Sequence, residues 1–391
     1  MKGLQLNGTW TPREGYNPTP REIKDQRALC AKNIWYDPSL KVVELPDPEP
    51  KDNEVLMKVG ACGICGSDMC FLNIDKEGYL DYVGHTKLPV VIGHEFAGEV
   101  VKVGKDVTRF KPGDLITGET MNWCGECDTC RTGMFNQCEN LEEIGFSING
   151  GMGQYLVIQE KFCLNINELL TRYKDKQLAM EVGATVEPTA VAYNGIFTRG
   201  GGFMPGSNVA VFGAGPIGLS AVQLVKAAGA SKIFVFEFSK PRLELARKLG
   251  ATHICDMGEY PKQGETVESI IMRETGGVGI HMAVECTAHC DKNLPELEKA
   301  LAVGGKTVQI GHHPGTSNVY AQIYQKRAGG LYGSNGSSGH GIWENVIRLI
   351  ASGVIDPSQI IADRFKLDDA IKGLETARSG IGGKYMITPN L

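Results

Sequence analysis

The sequence predicts an α/β protein of two domains, a β-rich one and a doubly wound parallel sheet. Three observations carry this. The first 190 or so residues are short β-branched runs cut by Gly, Pro and Asp, as in Lys87-Leu88-Pro89-Val90-Val91-Ile92-Gly93 and Lys111-Pro112-Gly113-Asp114-Leu115-Ile116. Such spacing of turns predicts many short strands around a barrel-like core. From Asn208 onward, strands alternate with helical patterns, which implies βαβ crossovers and helices on both faces of a parallel sheet. The length of 391 residues allows two or three cores.

Within the alternating region, Val209 to Phe212 reads as a strand and Ile217 to Ala228 as its helix. Lys232 to Phe236 and Pro241 to Leu249 repeat the unit, and His281 to Glu285 and Lys306 to Ile310 read as further strands. Trp343, Val346, Ile347 and Ile350 lie on one face of a helix, and a last helix is expected near Asp368 to Ala377.

Composition narrows the function classes. A net charge of −5 and the lack of a basic run argue against nucleic-acid binding. The apolar stretch Val209 to Ala230 is broken by Gly213, Gly215, Pro216 and Lys226, a poor membrane span. The first residues carry no apolar segment of a secretory signal. The chain is therefore expected to be soluble and cytoplasmic.

Of twelve cysteines, Cys62, Cys65 and Cys70 form one group and Cys124, Cys127, Cys130 and Cys138 another. Cys124, Cys127, Cys130 and Cys138 fall within fifteen residues, a spacing at which four thiolates can enclose zinc with no open position. Structural zinc is favoured over a redox pair or an iron–sulfur cluster. Cys30, Cys163, Cys255, Cys286 and Cys290 stand singly and read as small buried hydrophobes.

A glycine-rich turn, Gly213-Ala214-Gly215-Pro216-Ile217-Gly218, follows an apolar strand and opens an apolar helix, and Glu237 ends the next strand. In that setting Gly213 makes the turn, Gly215 admits a pyrophosphate, and Gly218 lets helix and strand approach. The helix N-terminus offers free N–H groups to phosphates. Glu237 would accept ribose hydroxyls and repel a 2′-phosphate, favouring NAD over NADP, with Lys240 and Arg242 as the counterweight. Pro216, Ile217, Arg242 and Thr287 complete the residues expected at the cofactor.

A third set is discontinuous: Cys65, Ser67 and Asp68, then His94 and Glu95, then Glu187. A Cys, a His and two Glu can hold a zinc that keeps an open position. Spacing alone does not bring these segments together.

In this order, the motifs resemble the zinc-dependent medium-chain dehydrogenase/reductase family. The resemblance implies a GroES-like catalytic domain over 1–190 and 342–391, with a zinc lobe near 122–140, and a Rossmann NAD-binding domain over 191–341. It implies that Cys65 and His94 ligate a catalytic zinc, with Glu95 and Glu187 as a ligand or an exchangeable near-ligand. Glu187-Pro188 stands where the alcohol branch places cysteine, so the polyol branch is implied, acting on small-molecule substrates in a homodimer or homotetramer. The segment Leu6 to Pro12, with Arg21 to Lys24, and the loop Gly333 to Gly341 resemble members that oxidise a ring hydroxyl of a keto-inositol. Linear polyols, vicinal diols and hydroxy amino acids are the alternative substrates.

In the mechanism so implied, the ion acts as a Lewis acid on the substrate hydroxyl, Ser67 takes the proton, and hydride passes to NAD+. The usual relay histidine of the polyol branch is replaced by Cys70, and His85 reads as a surface histidine rather than its substitute. Asp68 either orients His94 or caps a local turn. The loop Ser334 to His340 either lines the pocket or is an ordinary flexible loop.

Overall fold

The computed structural model describes residues 1–313 and 315–391. They form two compact units: Met1–Glu187 with Asp363–Ser379 and Lys384–Leu391, and Pro188–Ala362 with Gly380–Gly383.

The first unit contains strands β1 (Lys2–Trp10), β2 (Trp35–Glu44), β3 (Glu54–Gly63), β4 (Val90–Val91), β5 (Glu95–Val103) and β6 (Leu115–Gly118). It continues through β7 (Met121–Asn122), β8 (Glu142–Glu143), β9 (Tyr155–Gln159) and β10 (Cys163–Asn165). Most of the segment singled out near the start lies in a strand: β1 runs between β2 and β4, with Leu4 and Leu6 buried and a register shift between Asn7 and Thr9. A larger sheet runs β10-β6-β5-β3, and β9 also pairs with β3. In β3, Val55, Met57 and Val59 turn to the core in alternation, as a half-buried strand requires. Towards its end every residue is buried. Gly60 is needed there, because a Cβ would meet Met180 Sδ at 2.3 Å.

The second unit is a six-stranded parallel sheet of β11 (Asn208–Phe212), β12 (Lys232–Glu237), β13 (His253–Asp256), β14 (Ile280–Glu285), β15 (Leu301–Gln309) and β16 (Gly330–Gly333). The order β13-β12-β11-β14-β15-β16 is that of a doubly wound Rossmann sheet. The central strands β11 and β12 are largely apolar runs because helices cover both faces, and Phe212, Phe234 and Phe236 are buried among Ile270, Ile271 and Ile280.

The chain then returns. β17 (Ile361–Lys366) and β18 (Lys384–Thr388) extend the large sheet of the first unit, β18 pairing antiparallel with β3 through Met386–Gly63 and Ile387–Cys62. The return begins later than residue 342. The helix Ile342–Ala351 stays with the second unit, burying Trp343, Val346 and Ile350, and Asn345 Nδ2 donates to the Tyr193 hydroxyl at 3.1 Å. Further on, the Asp356 N–H donates to Gln223 Oε1 at 2.7 Å. Among the described residues, no helix is long and apolar enough to cross a membrane.

Candidate active site and metal centres

β3 and β5 bring the discontinuous set together. Gly63 pairs with Glu95 across the two strands, and Cys65 precedes the short helix Gly66–Cys70. Donor atoms of Cys65, His94 and Glu95 all lie within 4.8 Å of one another. Two glycines make this possible. Gly93 turns the chain with φ +95°, a conformation glycine accepts freely, and a Cβ on Gly63 would stand 2.1 Å from Glu95 Oε2.

Asp68 fills both roles read for it, one of them incompletely. Its Oδ2 accepts the Cys65 N–H at 2.8 Å, while Oδ1 faces His94 Nδ1 at 3.7 Å, beyond hydrogen-bond length. Both facing atoms are buried without a hydrogen-bond partner among the described residues. Burial disfavours the His94 cation, yet Asp68 and Cys65 raise its pKa well above the ordinary imidazole value. A buried imidazole amid carboxylates and a thiol is a surplus of negative donors, the setting a divalent cation neutralises.

Glu187, in the helix Val186–Tyr193, is buried and its pKa is pushed up to about 8, first by burial. The charges of His94 and Glu95 act on it, but it lies outside the close donor set. Ser67 is half-buried in the short helix beyond Cys65. Cys70 Sγ donates to the Gly66 carbonyl at 3.6 Å, and burial raises its pKa. His85 is not a surface residue: its side chain is 18% exposed, and Nε2 lies 3.3 Å from Glu143 Oε2.

The cysteine lobe is compact. Cys124, Cys127, Cys130 and Cys138 place their sulfurs within 4.8 Å of one another, with Cys124–Cys138 at 3.5 Å and Cys127–Cys138 at 3.8 Å. A tetrahedral ion with metal–sulfur bonds of about 2.3 Å sets sulfurs about 3.8 Å apart, so the four fit zinc. The backbone N–H groups of Glu126 and Cys127 donate to Cys124 Sγ, and those of Cys124 and Asn140 to Cys138 Sγ. Such donors favour thiolates. The Cys127 thiol is pulled down to about 6, first by its contact with Thr129, whereas burial pushes Cys130 up to about 12. Arg21 from the helix Pro20–Asp25 clasps the lobe, donating to the Glu139 carbonyl at 2.6 Å and to Asn140 Oδ1 at 2.8 Å.

In the second unit, the glycine turn sits between β11 and the helix Pro216–Ala227, where the strand order reverses. A Cβ on Gly213 would meet Thr287 Cγ2 at 2.7 Å, and one on Gly218 would lie 1.8 Å from the Gly213 carbonyl oxygen. A Cβ on Gly215 would meet nothing within 4 Å, and no side chain caps this helix. Its free N–H groups and open approach fit a pyrophosphate. Glu237 is more constrained than expected. Its Oε2 accepts the Ala214 N–H at 2.8 Å, and Oε1 accepts those of Phe238 and Ser239, leaving one lone pair of Oε2 for a ribose hydroxyl. Arg242 Nε donates to the Gly382 carbonyl at 2.8 Å.

Comparison with known proteins supports this reading. Residues 51–168 match the alcohol dehydrogenase GroES-like domain, and residues 216–352 match the zinc-binding dehydrogenase family. The scyllo-inosose 3-dehydrogenase of Thermotoga maritima is 36% identical over 393 aligned residues, covering 97% of this chain and 98% of its own. The chain belongs to the zinc-binding medium-chain dehydrogenases. An L-threonine 3-dehydrogenase of Alteromonas mediterranea is 31% identical, with 92% of this chain and 98% of that protein covered. A solved structure from Thermotoga maritima, whose description proposes an alcohol dehydrogenase, superposes with a TM-score of 0.93 at 34% identity, covering 99% and 100% of the two chains. A zinc-binding dehydrogenase candidate from Sinorhizobium meliloti 1021, solved with NADP, gives 0.77 at 27% identity over 98% and 99%.

The sequence motifs of this dehydrogenase left out one residue of its site. Lys384, on β18, is buried and lies 2.6 Å from Glu95 Oε1 and 2.5 Å from Oε2, and also donates to the Ile64 carbonyl at 2.9 Å. A lysine near the end of a chain carries no local signal. The loop Ser334 to His340 is not an ordinary flexible loop: Ser337 and Ser338 are buried, Asn194 Nδ2 donates to the Gly336 carbonyl at 2.8 Å, and Trp343 Nε1 donates to that of Ser337. Asn194 begins a π-helical turn (Asn194–Arg199), a distortion common near functional sites.

Proposed function

We propose that this dehydrogenase oxidises a secondary alcohol of a cyclic polyol or keto-polyol, scyllo-inosose or a close analogue, with NAD+ as acceptor. The observation that carries the reading is the convergence of Cys65, His94 and Glu95 donors within 4.8 Å, with Glu187 in electrostatic reach. Cys65, His94 and either Glu95 or Glu187 would hold a catalytic zinc, and Cys124, Cys127, Cys130 and Cys138 a structural one. Bound at the first site, zinc supplies Lewis-acid polarisation of a substrate hydroxyl, and NAD+ supplies the hydride acceptor.

The chain's own residues do the rest. Ser67 accepts the hydroxyl proton and passes it towards solvent. Asp68 fixes Cys65 through its backbone N–H and faces the His94 ring. Lys384 holds the Glu95 carboxylate. Gly213, Gly215, Pro216, Ile217 and Gly218 cradle the pyrophosphate, Thr287 packs on the turn, Arg242 lies in the helix after β12, and Glu237 selects NAD over NADP by repelling a 2′-phosphate. A cytoplasmic homo-oligomer is the accompanying expectation.

The second reading, a hydroxy amino acid or linear polyol as substrate, has the 31% identity with L-threonine 3-dehydrogenase in its favour. NADH formation by zinc-loaded protein separates the two across scyllo-inosose, myo-inositol, sorbitol, L-threonine and butane-2,3-diol, each also tried with NADP+. The proposal expects selectivity for the cyclitols and for NAD+. A preference for threonine or a linear polyol discards the cyclitol assignment while leaving the reaction class in place.

A further inference from the structure

Beside the proposed zinc site lies a polar cluster whose bonding capacity is unspent. Arg27 is 9% exposed, and its guanidinium makes no hydrogen bond among the described residues: Nη1 stands 3.5 Å from Glu142 Oε1, and Nε is buried and unpartnered. His85 Nε2, 3.3 Å from Glu143 Oε2, lies outside hydrogen-bond geometry and is likewise buried and unpartnered. Glu143 donates its N–H to Ser147 Oγ at 2.8 Å, but its carboxylate accepts no hydrogen bond among the described residues. Folded proteins rarely leave such buried nitrogens without a hydrogen bond, and Arg27 Nε and His85 Nε2 are the atoms a solute or ordered water would satisfy.

The cluster adjoins the chemistry. The Phe146 ring lies 6.4 Å from that of His85 and 4.9 Å from that of His94, and Tyr82 stacks on it at 5.8 Å. The charge of His94 acts on Glu143, as does that of Arg27, and Glu143 in turn acts on Glu187. Phe146 is itself buried in the core, so it ties the cluster to His94 rather than facing a ligand. A carboxylate can accept from two adjacent hydroxyls while a guanidinium donates to oxygens on the same ring.

We propose that Arg27, His85 and Glu143 form the hydroxyl-recognition end of the substrate site, binding the non-reacting hydroxyls of a polyhydroxylated ring. This rests on the cyclitol reading above. The rival occupant is ordered water, which recognises nothing.

The test compares zinc-loaded wild type with Glu143→Gln and Arg27→Lys, after thermal unfolding has shown each variant folded. The readouts are kcat and KM for scyllo-inosose and for cyclohexanol, a ring with a single hydroxyl. Binding of myo-inositol and cyclohexanol to the NADH complex is titrated in parallel. Each variant is expected to lose at least tenfold in the ratio of cyclitol to cyclohexanol kcat/KM, chiefly through KM, the scale of one or more lost charge-assisted hydrogen bonds. An unchanged ratio, whether both substrates fall together or neither falls, overturns the proposal. If the wild type oxidises no cyclitol, the functional reading has failed, and the titrations decide this one separately. myo-Inositol affinity weakened at least tenfold more than cyclohexanol affinity sustains a polyol-binding site, and absent or equal effects overturn it.

Discussion

The cysteine lobe and the Cys65–His94–Glu95 cluster belong to the same compact unit, yet they are built in opposite ways. The lobe draws four like donors from one short loop, and backbone N–H groups of that loop donate to the sulfurs of Cys124 and Cys138. The other site draws unlike donors from the turn after β3 and the start of β5, with Glu187 of the helix Val186–Tyr193 acting on it electrostatically and Lys384 reaching it from β18. Local construction encloses the space between four sulfurs, as the proposed structural role requires. Dispersed construction leaves a carboxylate, Glu95, already engaged by a buried ammonium, so on the zinc reading proposed above the ion would share it with Lys384.

The sharpest break between the two sites comes from removing one thiol in each. Cys65→Ala is expected to lower kcat/KM on the order of 10³-fold or more, about 4 kcal/mol of barrier, with zinc content falling from two to one per chain and the unfolding midpoint little changed. Retained turnover would remove Cys65 from the chemistry. Cys127→Ala should show the reverse balance: the same loss of one zinc, but a destabilisation on the order of 4 kcal/mol, because loop order is coupled to the metal. If it instead unfolds like the wild type, the lobe contributes nothing as a staple.

Lys384→Met probes the shared carboxylate. Leaving Glu95 buried without its counter-charge is expected to cost the metal-free protein about 3 kcal/mol. The zinc-loaded protein should lose less, since the ion takes over the neutralisation. Denaturant unfolding with and without a chelator reads the difference, and equal losses in both states would show that Glu95 never turns to the ion.

The smallest expected effect concerns the clasp on the lobe. Glu22 follows Arg21 in the clasping helix. Burial by itself would raise its pKa, but the N–H groups of Leu29 and Thr19 and the hydroxyls of Tyr16 and Thr19 hold it below its ordinary 4.5. A carboxyl depressed on folding stabilises the native state above that ordinary value and loses its contribution as pH falls through the lower folded value. The unfolding midpoint of the wild type should therefore exceed that of Glu22→Gln at pH 6 by on the order of 2–4 °C, and the gap should close below pH 4.5. A gap that persists in acid would assign the effect to packing.

The same contrast explains what could be read before the structure. Cys124 to Cys138 and Gly213 to Gly218 were legible because their chemistry is complete within one turn or loop. So were the strands of the parallel sheet with continuous apolar runs, such as Val209 to Phe212. The strand His253–Asp256 escaped because its four residues mix His and Asp with one buried cysteine, and Gly330–Gly333 because half of it is glycine. The helix Ile342–Ala351 was recognised by its apolar stripe, but a stripe does not say which core it serves. Lys384 and Gly63 matter only through Glu95, a partner fixed by sheet register, and register is a property of the folded chain.

β18 also imposes an order in time. Lys384 lies 289 residues beyond Glu95, and at 5–20 residues per second a ribosome needs roughly 15–60 s to cover that span. Once Cys138 is made, the nascent chain carries every cysteine of the lobe, together with Cys65, His94 and Glu95, but not the ammonium that clamps Glu95 nor the strand that pairs with Gly63. The lobe can mature while the chain is still being made, whereas the second site reaches its final charge balance only at the close of translation. On the two-zinc reading proposed above, the lobe would fill before the second site.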